Sequence, residues 1–561
     1  MSFKLVTVND VLLDIYPKAW NRITSALESG EHLLLGVFPP QETRKSTTTD
    51  SWAVELAKMG KNVLMAVNSG DVATEHVERI DKLGGSARLL RSHAATFKGR
   101  ELECPDYENI QYYYKLGVDS TQYKKTYCKN CPYYEECDYP RQYARAADPD
   151  TNIVIMQHAH FRCRETLINL FKNKHFDVLI IDESFIDSLI DIMYPTAYEI
   201  EALKSSGFDW ALKLATWLEV GGEPKGTIRP IPGDLEELFK TFEGSGQAWR
   251  IRELVDAFNR SDWLHVKSGI KSFVPIPFFP VRILTDATAT PEELSIVFNT
   301  DKIEFIGKGS ALNIRAYHPE NDIIQVIDSS LAKSSLKKDD KFYDFLNFIG
   351  LKCSTTFKND RVLVTTFKDD DKFNWRQETI EYLKDKFPHL DVGEDPLVNK
   401  IVVDGMKVGV NTYANFTVQF LVCSVYMSPY QIAEGAYKIK FIRNWWRQKE
   451  DLPIIQNILP QEGQSIEMEM TPVRKIELDG IYEYPDISIM VPSEKFDRMT
   501  YEKNIGKSQQ AIRIRFTANP EKRKKVYIFG NYNFPSMLIT KTVLLDDIIA
   551  ELNAPIELEP D

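Results

Sequence analysis

The stretch "FPPQETRKSTTT", Phe38 to Thr49, follows the apolar run "HLLLGVF" and leads into "STTTDSWAVELAKMG", an amphipathic helix pattern stopped by Gly60. A strand, a polar turn and a helix form the place where α/β proteins hold phosphate. Backbone N–H groups converge there on the anion, a lysine neutralises charge and a Ser or Thr hydroxyl serves magnesium. The ending, Lys45-Ser46-Thr47, suits this chemistry. The beginning does not, because no glycine stands between Val37 and Thr49. A non-glycine residue at positive φ costs about 1 kcal/mol or more, and Glu42 adds negative charge where phosphates would lie. The competing reading is a polar turn that happens to end in Lys-Ser.

Outward from this loop, short apolar strands alternate with helical periodicity through the first 190 residues, as in a parallel α/β sheet. "NVLMAV", "ARLL", "NIVIMQ", "FDVLIID" and "VRILTDAT" are the further strands. The second half alternates again, with "DIIQVI", "DRVLVTTF", "QFLVCSVY" and "KKVYIFGNY" as strands and helices near 341–348, 376–386 and 431–447. The expected fold class is therefore α/β with two parallel-sheet units. The first unit takes 1–99, 149–187 and 277–313, interrupted by a cysteine-rich insertion at 100–148 and a mostly helical one at 188–276. The second unit takes 314–545, and 546–561 is an acidic tail.

Bulk composition narrows the class. At 561 residues the chain is too long for one core. A hydrophobic content of 43% with 27% charged residues is that of a globular protein. No run of about 18 apolar residues exists to span a bilayer, and the N-terminus carries no secretory signal pattern. The expected location is cytoplasmic or nucleoid-associated, neither secreted nor in a membrane. A net charge of −12 argues against a whole-surface nucleic-acid binder and leaves room for a local basic groove. Basic residues collect in "NPEKRKKV" (Asn519 to Val526) and "IRNWWRQK" (Ile442 to Lys449), each more often a solvated face than a site.

"FDVLIIDES" ends an apolar strand in Asp182 and Glu183. The carboxyl end of a strand is where α/β sheets bind ligands. An Asp there can hold magnesium, and a neighbouring Glu can orient and deprotonate water. Taken alone, a strand leaving the core into an acidic loop explains the pair as well. Combined with Lys45-Ser46 at a strand-to-helix turn, the pair points to nucleotide hydrolysis. Asp286-Ala287-Thr288 marks another strand end, and "SQQAIRIRF" sets Gln509 one helical turn before Arg513, with Arg515 close behind. Arginines from the second unit can stabilise charge on a transferring phosphoryl group.

Four of the seven cysteines, Cys104, Cys128, Cys131 and Cys137, form Cys-x23-Cys-x2-Cys-x5-Cys. Thiolates so spaced hold zinc or an iron–sulfur cluster, zinc being the commoner outcome on spacing alone. Cys163, Cys353 and Cys423 are isolated and read as small buried hydrophobes. Tyr112, Tyr113, Tyr114, Tyr123, Tyr127, Tyr133 and Tyr134, interleaved with Lys124, Lys125 and Lys129, can stack on unpaired bases or simply pack a small domain. Trp445 and Trp446 read as core.

The order of these elements resembles superfamily 2 helicases. Lys45-Ser46, "VLMAVNS", "LIIDES", "LTDATAT", "VLVTTFK", "VGVNTYANF" and "QQAIRIRF" are similar to that superfamily's successive motifs, and "NIVIMQHAHF", with Gln157-His158, is similar to a strand of the XPD/DinG branch. The resemblance covers roughly residues 30 to 535. It departs at Glu42 and Arg44, which replace phosphate-loop glycines, and at Ile512, where a glycine usually precedes the first arginine of the last motif. It implies two RecA-like lobes, the helical insertion being of arch type. It implies ATP and Mg2+ as cofactors, with Thr43, Lys45, Ser46, Thr47 and Arg515 binding nucleotide. Ser46 and Asp182 would serve magnesium, Glu183 would activate water, and Gln509 and Arg513 would sense the γ-phosphate. A 4Fe–4S cluster at the four cysteines is implied by position, with Zn2+ as the alternative. The implied activity is ATP-dependent DNA helicase or translocase action on single-stranded or forked nucleic acid, with replication or repair proteins as the natural partners. The alternative is a nucleic-acid-binding or scaffold protein on a helicase frame, with weak or absent ATPase because of the glycine-free loop. A zinc-containing structural module is a third reading, supported by the cysteines alone.

Overall fold

The computed structural model describes residues 3–7, 11–39, 44–91, 104, 106, 128–135, 137–162, 170–183, 185–193, 197–220, 263–266, 269–273, 275–286, 290–307, 313–317, 322–327, 341–367, 373–405, 413, 415–422, 429–449, 466–476, 481–510, 523–530, 541–544 and 547–548. Among these residues the chain builds two seven-stranded sheets. Across the first, the strands run Glu304–Gly307, Leu33–Phe38, Val281–Thr285, Val178–Asp182, Val63–Val67, Ile153–Gln157 and Ala87–Leu89, every pair parallel. Across the second they run Val392–Gly393, Ile401–Gly405, Val362–Thr366, Val418–Leu421, Lys525–Phe529, Asp322–Ile327 and Lys541–Leu544, again all parallel. This is the expected α/β class, with two parallel-sheet units, here called the first and second lobes.

Each central strand is a near-continuous apolar run because helices cover both faces of a parallel sheet. Successive side chains leave a strand on opposite faces, which splits the first lobe into two cores. Leu33, Leu35, Val37, Val63, Met65, Val178, Ile180, Val281 and Ile283 meet Ala19 and Ile23 of helix Tyr16–Ser29 and Ala53 and Leu56 of helix Lys45–Lys58. Leu34, Leu64, Ala66, Leu179, Ile181 and Leu284 face the other way. The second lobe has its own core around Phe345, Phe348, Trp375, Phe420 and Tyr527.

Besides four sheet strands that the pattern did not mark, Glu304–Gly307, Val392–Gly393, Ile401–Gly405 and Lys541–Leu544, three elements differ from the expectation. Within 188–276, helices Ala197–Ser205 and Asp209–Val220 are joined by a three-stranded antiparallel sheet of Ile190–Met193, Gly269–Phe273 and Trp263–Val266. Strands of four and five residues are too short to show alternation. Phe3–Thr7 pairs in parallel with Asn313–Tyr317, linking the start of the chain to the join between the lobes. In the second half, Met468–Ile476 and Ile481–Pro492 form a long antiparallel ribbon where no strand was expected.

The halves meet through helix Pro429–Lys449, whose Tyr437, Phe441, Ile442 and Trp445 enter the first lobe's core beside Phe273, Leu294 and Val297. Trp445 stands edge-on to Phe273, ring centroids 5.0 Å apart. Two ion pairs reach across from helix Lys495–Gln510 to helix Pro291–Phe298: Lys503 to Glu293 at 2.5 Å and Lys495 to Glu292 at 2.6 Å.

Candidate active site

Three adjacent strands bring the charged residues together. Leu33–Phe38 feeds the loop that opens helix Lys45–Lys58, Val178–Asp182 ends in the acidic pair, and Val281–Thr285 lies between them. Lys45 reaches over this middle strand. Its Nζ lies 3.1 Å from Asp182 Oδ1 and 3.7 Å from Glu183 Oε1, and donates to the Thr285 carbonyl at 3.3 Å. Ser46 Oγ donates to Asp182 Oδ2 at 3.2 Å, and Thr285 Oγ1 donates to Asp182 Oδ1 at 2.8 Å. The lysine of the loop and the acids of the strand therefore form one cluster.

The backbone at both ends of the cluster is unusual. Arg44, just before the helix, has φ 60° and ψ 30°, the left-handed conformation that a glycine would adopt freely. The chain accepts that conformation with a side chain present, so the helix entry keeps a glycine-like shape at this residue despite its sequence. The Arg44 carbonyl takes the Thr48 N–H at 3.0 Å and the Thr48 hydroxyl at 3.0 Å, which helps to hold it. Glu183 has φ 66°. Its N–H donates to the Thr285 carbonyl at 2.8 Å, and its Oε2 accepts from Asn68 Nδ2 at 3.2 Å. Strained non-glycine backbone of this kind gathers at functional sites.

Behind Asp182 lies a second rank of charges that sequence reading missed. His76, fully buried on helix Gly70–Lys82, places Nδ1 2.5 Å from Asp50 Oδ1 and Nε2 3.5 Å from Asp182 Oδ2. Arg79 Nε donates to Asp50 Oδ2 at 2.6 Å. The result is an alternating chain of Lys45, Asp182, His76, Asp50 and Arg79. Burial alone would push the His76 pKa down, but the close carboxylates of Asp182 and Asp50 outweigh burial and raise it to about 9. Burial would likewise raise Asp182, and Lys45 and His76 outweigh it to hold the carboxyl far below its ordinary range. Burial opposes the Lys45 charge, yet Asp182, Glu183 and Asp286 together keep the ammonium above the usual lysine range. Asp50 follows Ser46 by one helical turn. Only the packing of helix Lys45–Lys58 against Gly70–Lys82 turns that spacing into a contact.

The remaining candidates divide. Thr47 is exposed on the first turn of its helix. His158 is buried, and its Nε2 lies 3.2 Å from the Ala66 carbonyl; burial lowers its pKa to about 4, so it is a neutral tie between strands. Gln509 lies in the last turn of helix Lys495–Gln510. Glu42, Thr43, Ile512, Arg513 and Arg515 lie outside the described residues, as do Tyr112, Tyr113, Tyr114, Tyr123, Lys124, Lys125, Tyr127, Cys163 and Cys423.

For a magnesium ion the donor set fits. One carboxylate and one hydroxyl, Asp182 and Ser46, lie 3.2 Å apart, and magnesium keeps its other positions for water and phosphate oxygen. The cysteines are different. Cys104 and Cys137 are buried, Cys128 and Cys131 half-buried, and none of the four is in a disulfide. Burial, partly offset by a backbone hydrogen bond at Asp106, pushes Cys104 up to about 11, and the charges of Cys137 and Cys131 add to the rise. Yet no three His, Cys, Asp or Glu side chains among the described residues close into a metal-holding group.

No family model and no curated protein matches the sequence. Among solved structures, the chain is similar to "XPD_Helicase" at 13% identity, covering 92% of this chain and 95% of that one, TM-score 0.42. It is similar to S. tokodaii Xpd4 at 11% identity, with 92% and 95% covered and TM-score 0.43. A third likeness is to the DEAD-box helicase Mss116 bound to ssRNA and UDP-BeF, at 13% identity, 79% and 73% covered, TM-score 0.35. All three TM-scores lie below 0.5, and the site's own geometry is what bears on its chemistry. No helix among the described residues is long and apolar enough to cross a membrane.

Proposed function

We propose that the protein is a nucleoside-triphosphatase motor, hydrolysing ATP between its two lobes to move along nucleic acid. The observation that carries the proposal is the Lys45 ammonium 3.1 Å from Asp182, with Ser46 on the same carboxylate, above three parallel strand ends. Lysine and hydroxyl at a helix entry, facing an Asp-Glu pair, are the groups that phosphoryl transfer to water requires. When substrate arrives, Lys45 exchanges Asp182 for phosphate oxygens. His76 stays behind as the cation beside Asp182, so the carboxylate is not stranded when the lysine leaves. Glu183 orients the attacking water and accepts its proton. Bound magnesium supplies charge neutralisation across the phosphates. Asp182 and Ser46 would hold it, and Gln509, Arg513 and Arg515 complete the proposed set from the second lobe.

Single-stranded DNA as the track, and replication or repair as the setting, rest on the order of the sequence motifs. A cluster or zinc site at Cys104, Cys128, Cys131 and Cys137 rests on their spacing in the sequence, and no step of hydrolysis passes through it. Iron content and visible absorbance of anaerobically purified protein test that part.

The scaffold reading has its own observation: in this state Lys45 is spent on Asp182 and Glu183. Single-strand-stimulated ATP hydrolysis separates the two. Wild type is expected to hydrolyse ATP, with Lys45→Ala and Glu183→Gln at least about 100-fold slower. Equal background rates in all three proteins favour the scaffold.

A further inference from the structure

The basic run Ile442–Lys449 is not a plain solvated face. Trp445 is core at 7% exposure, but Arg443, Trp446 and Arg447 line a cavity of 660 Å³ at the seam between the halves. Its other wall is helix Pro291–Phe298 and the turn after it, including Glu292, Asp301 and Lys302. We propose that this cavity binds a backbone phosphate of single-stranded nucleic acid, an inference that rests on the motor reading and gives it a strand contact.

Arg443 and Arg447 are one helical turn apart on helix Pro429–Lys449, so their guanidiniums share a face. Arg443 Nε is buried with no hydrogen-bond partner among the described residues, and its guanidinium rests over the Phe496 ring at 4.6 Å. Burial first, then the charge of Arg447, lowers the Arg443 pKa, while Glu494 and Glu292 offset this in part. Those two carboxylates are already engaged, Glu292 by Lys495 at 2.6 Å and Glu494 by Lys440 at 3.3 Å. Asp301 and Lys302, adjacent in sequence, add one charge of each sign to the lining. What is left is a guanidinium pair in a cavity, and a phosphate oxygen pair answers both its charge and its forked donors.

Trp446 favours a nucleotide unit over a bare anion. Its indole N–H is given to the Val297 carbonyl at 3.3 Å, and its ring is set edge-on to Trp445 and Phe273. A ring so fixed beside paired arginines suits a base next to its phosphate.

The test is fluorescence anisotropy of labelled oligothymidylate with the full chain across a salt series, for wild type, Arg447→Gln and the Arg443→Gln/Arg447→Gln double variant. The double variant is expected to bind about tenfold or more weakly, and its log–log salt slope to fall by about 0.7, one phosphate contact. Arg447→Gln, further from the packed Phe496 ring, is expected to show part of the same loss with an unchanged melting point. ATP hydrolysis without nucleic acid is expected to be unchanged in both. Wild-type affinity and slope in both variants, with strand-stimulated hydrolysis intact, overturn the cavity assignment and leave the motor reading standing. No oligonucleotide binding by wild type overturns both. Competition by thymidine monophosphate or oligoglutamate as effective as by the unlabelled strand overturns the strand assignment.

Discussion

The two seven-stranded sheets share a parallel topology and both bury polar groups near their strand ends, yet they satisfy them differently. In the first lobe the buried groups are ionic: Asp182 sits between Lys45 and His76, and Asp50 between His76 and Arg79. The second lobe also buries Lys524 and Asp404, but its central strands hold neutral side chains against one another. Gln419 Nε2 donates to Thr365 Oγ1 at 2.9 Å, Gln325 Nε2 to the Gly530 carbonyl at 2.6 Å, and the Tyr413 hydroxyl to Asp404 at 2.7 Å. A buried charge is costly unless matched by another. A neutral amide–hydroxyl bond gives comparable rigidity without that cost. The contrast locates the chemistry: the first lobe is the one whose strand ends join a lysine, a histidine and carboxylates in one chain of ion pairs.

The largest effect that bears on this contrast is expected at Asp182. Asp182→Asn leaves Lys45 and His76 facing a neutral amide, a loss of about 3–5 kcal/mol by denaturant unfolding. A loss as small as that of a neutral pair would erase the distinction between the lobes. Next comes His76. Its pKa is raised from 6.5 unfolded to about 9 folded. The stability it contributes is therefore complete below about pH 6.5 and disappears as the pH rises through about 9. Melting points measured across that window should fall in wild type, and the His76 part of the slope should be missing in His76→Gln.

On the neutral side, Thr365→Val removes one partner of the buried Gln419 amide and should cost about 1–3 kcal/mol, with ATP hydrolysis unchanged. A pronounced loss of hydrolysis would place the second lobe's strand ends in the chemistry. The smallest effect is expected at Arg44. Arg44→Gly relieves a left-handed side-chain clash and gives back unfolded-state entropy, a net stabilisation of no more than about 1 kcal/mol. A clear destabilisation would mean that the Arg44 side chain has a bonding role of its own.

Ten of the fourteen strands of the two sheets were legible because a parallel sheet covered on both faces demands apolar runs such as "VLMAV", "VLIID" and "VRILT"; Glu304–Gly307, Val392–Gly393, Ile401–Gly405 and Lys541–Leu544 were not. The Lys-Ser and Asp-Glu pairs were legible because each stands at a strand's carboxyl end, where ligands bind. Short strands such as Ile190–Met193 and Trp263–Val266 were not, since pairing partners distant in sequence create them. The four cysteines show the opposite limit: a spacing can be read, but whether thiols converge is a matter of folded geometry.

Sequence alone therefore determined the periodic strands, the two α/β units and the identity of the ionisable groups at the strand ends, because local pattern and residue chemistry are carried by neighbours along the chain. Tertiary structure alone decided that Lys45 meets Asp182, that His76 and Asp50 stand behind it, and that Arg443 and Arg447 face a cavity. Those contacts join helices and strands remote in sequence, and burial, which sets the strength of each charge, exists only once they have packed.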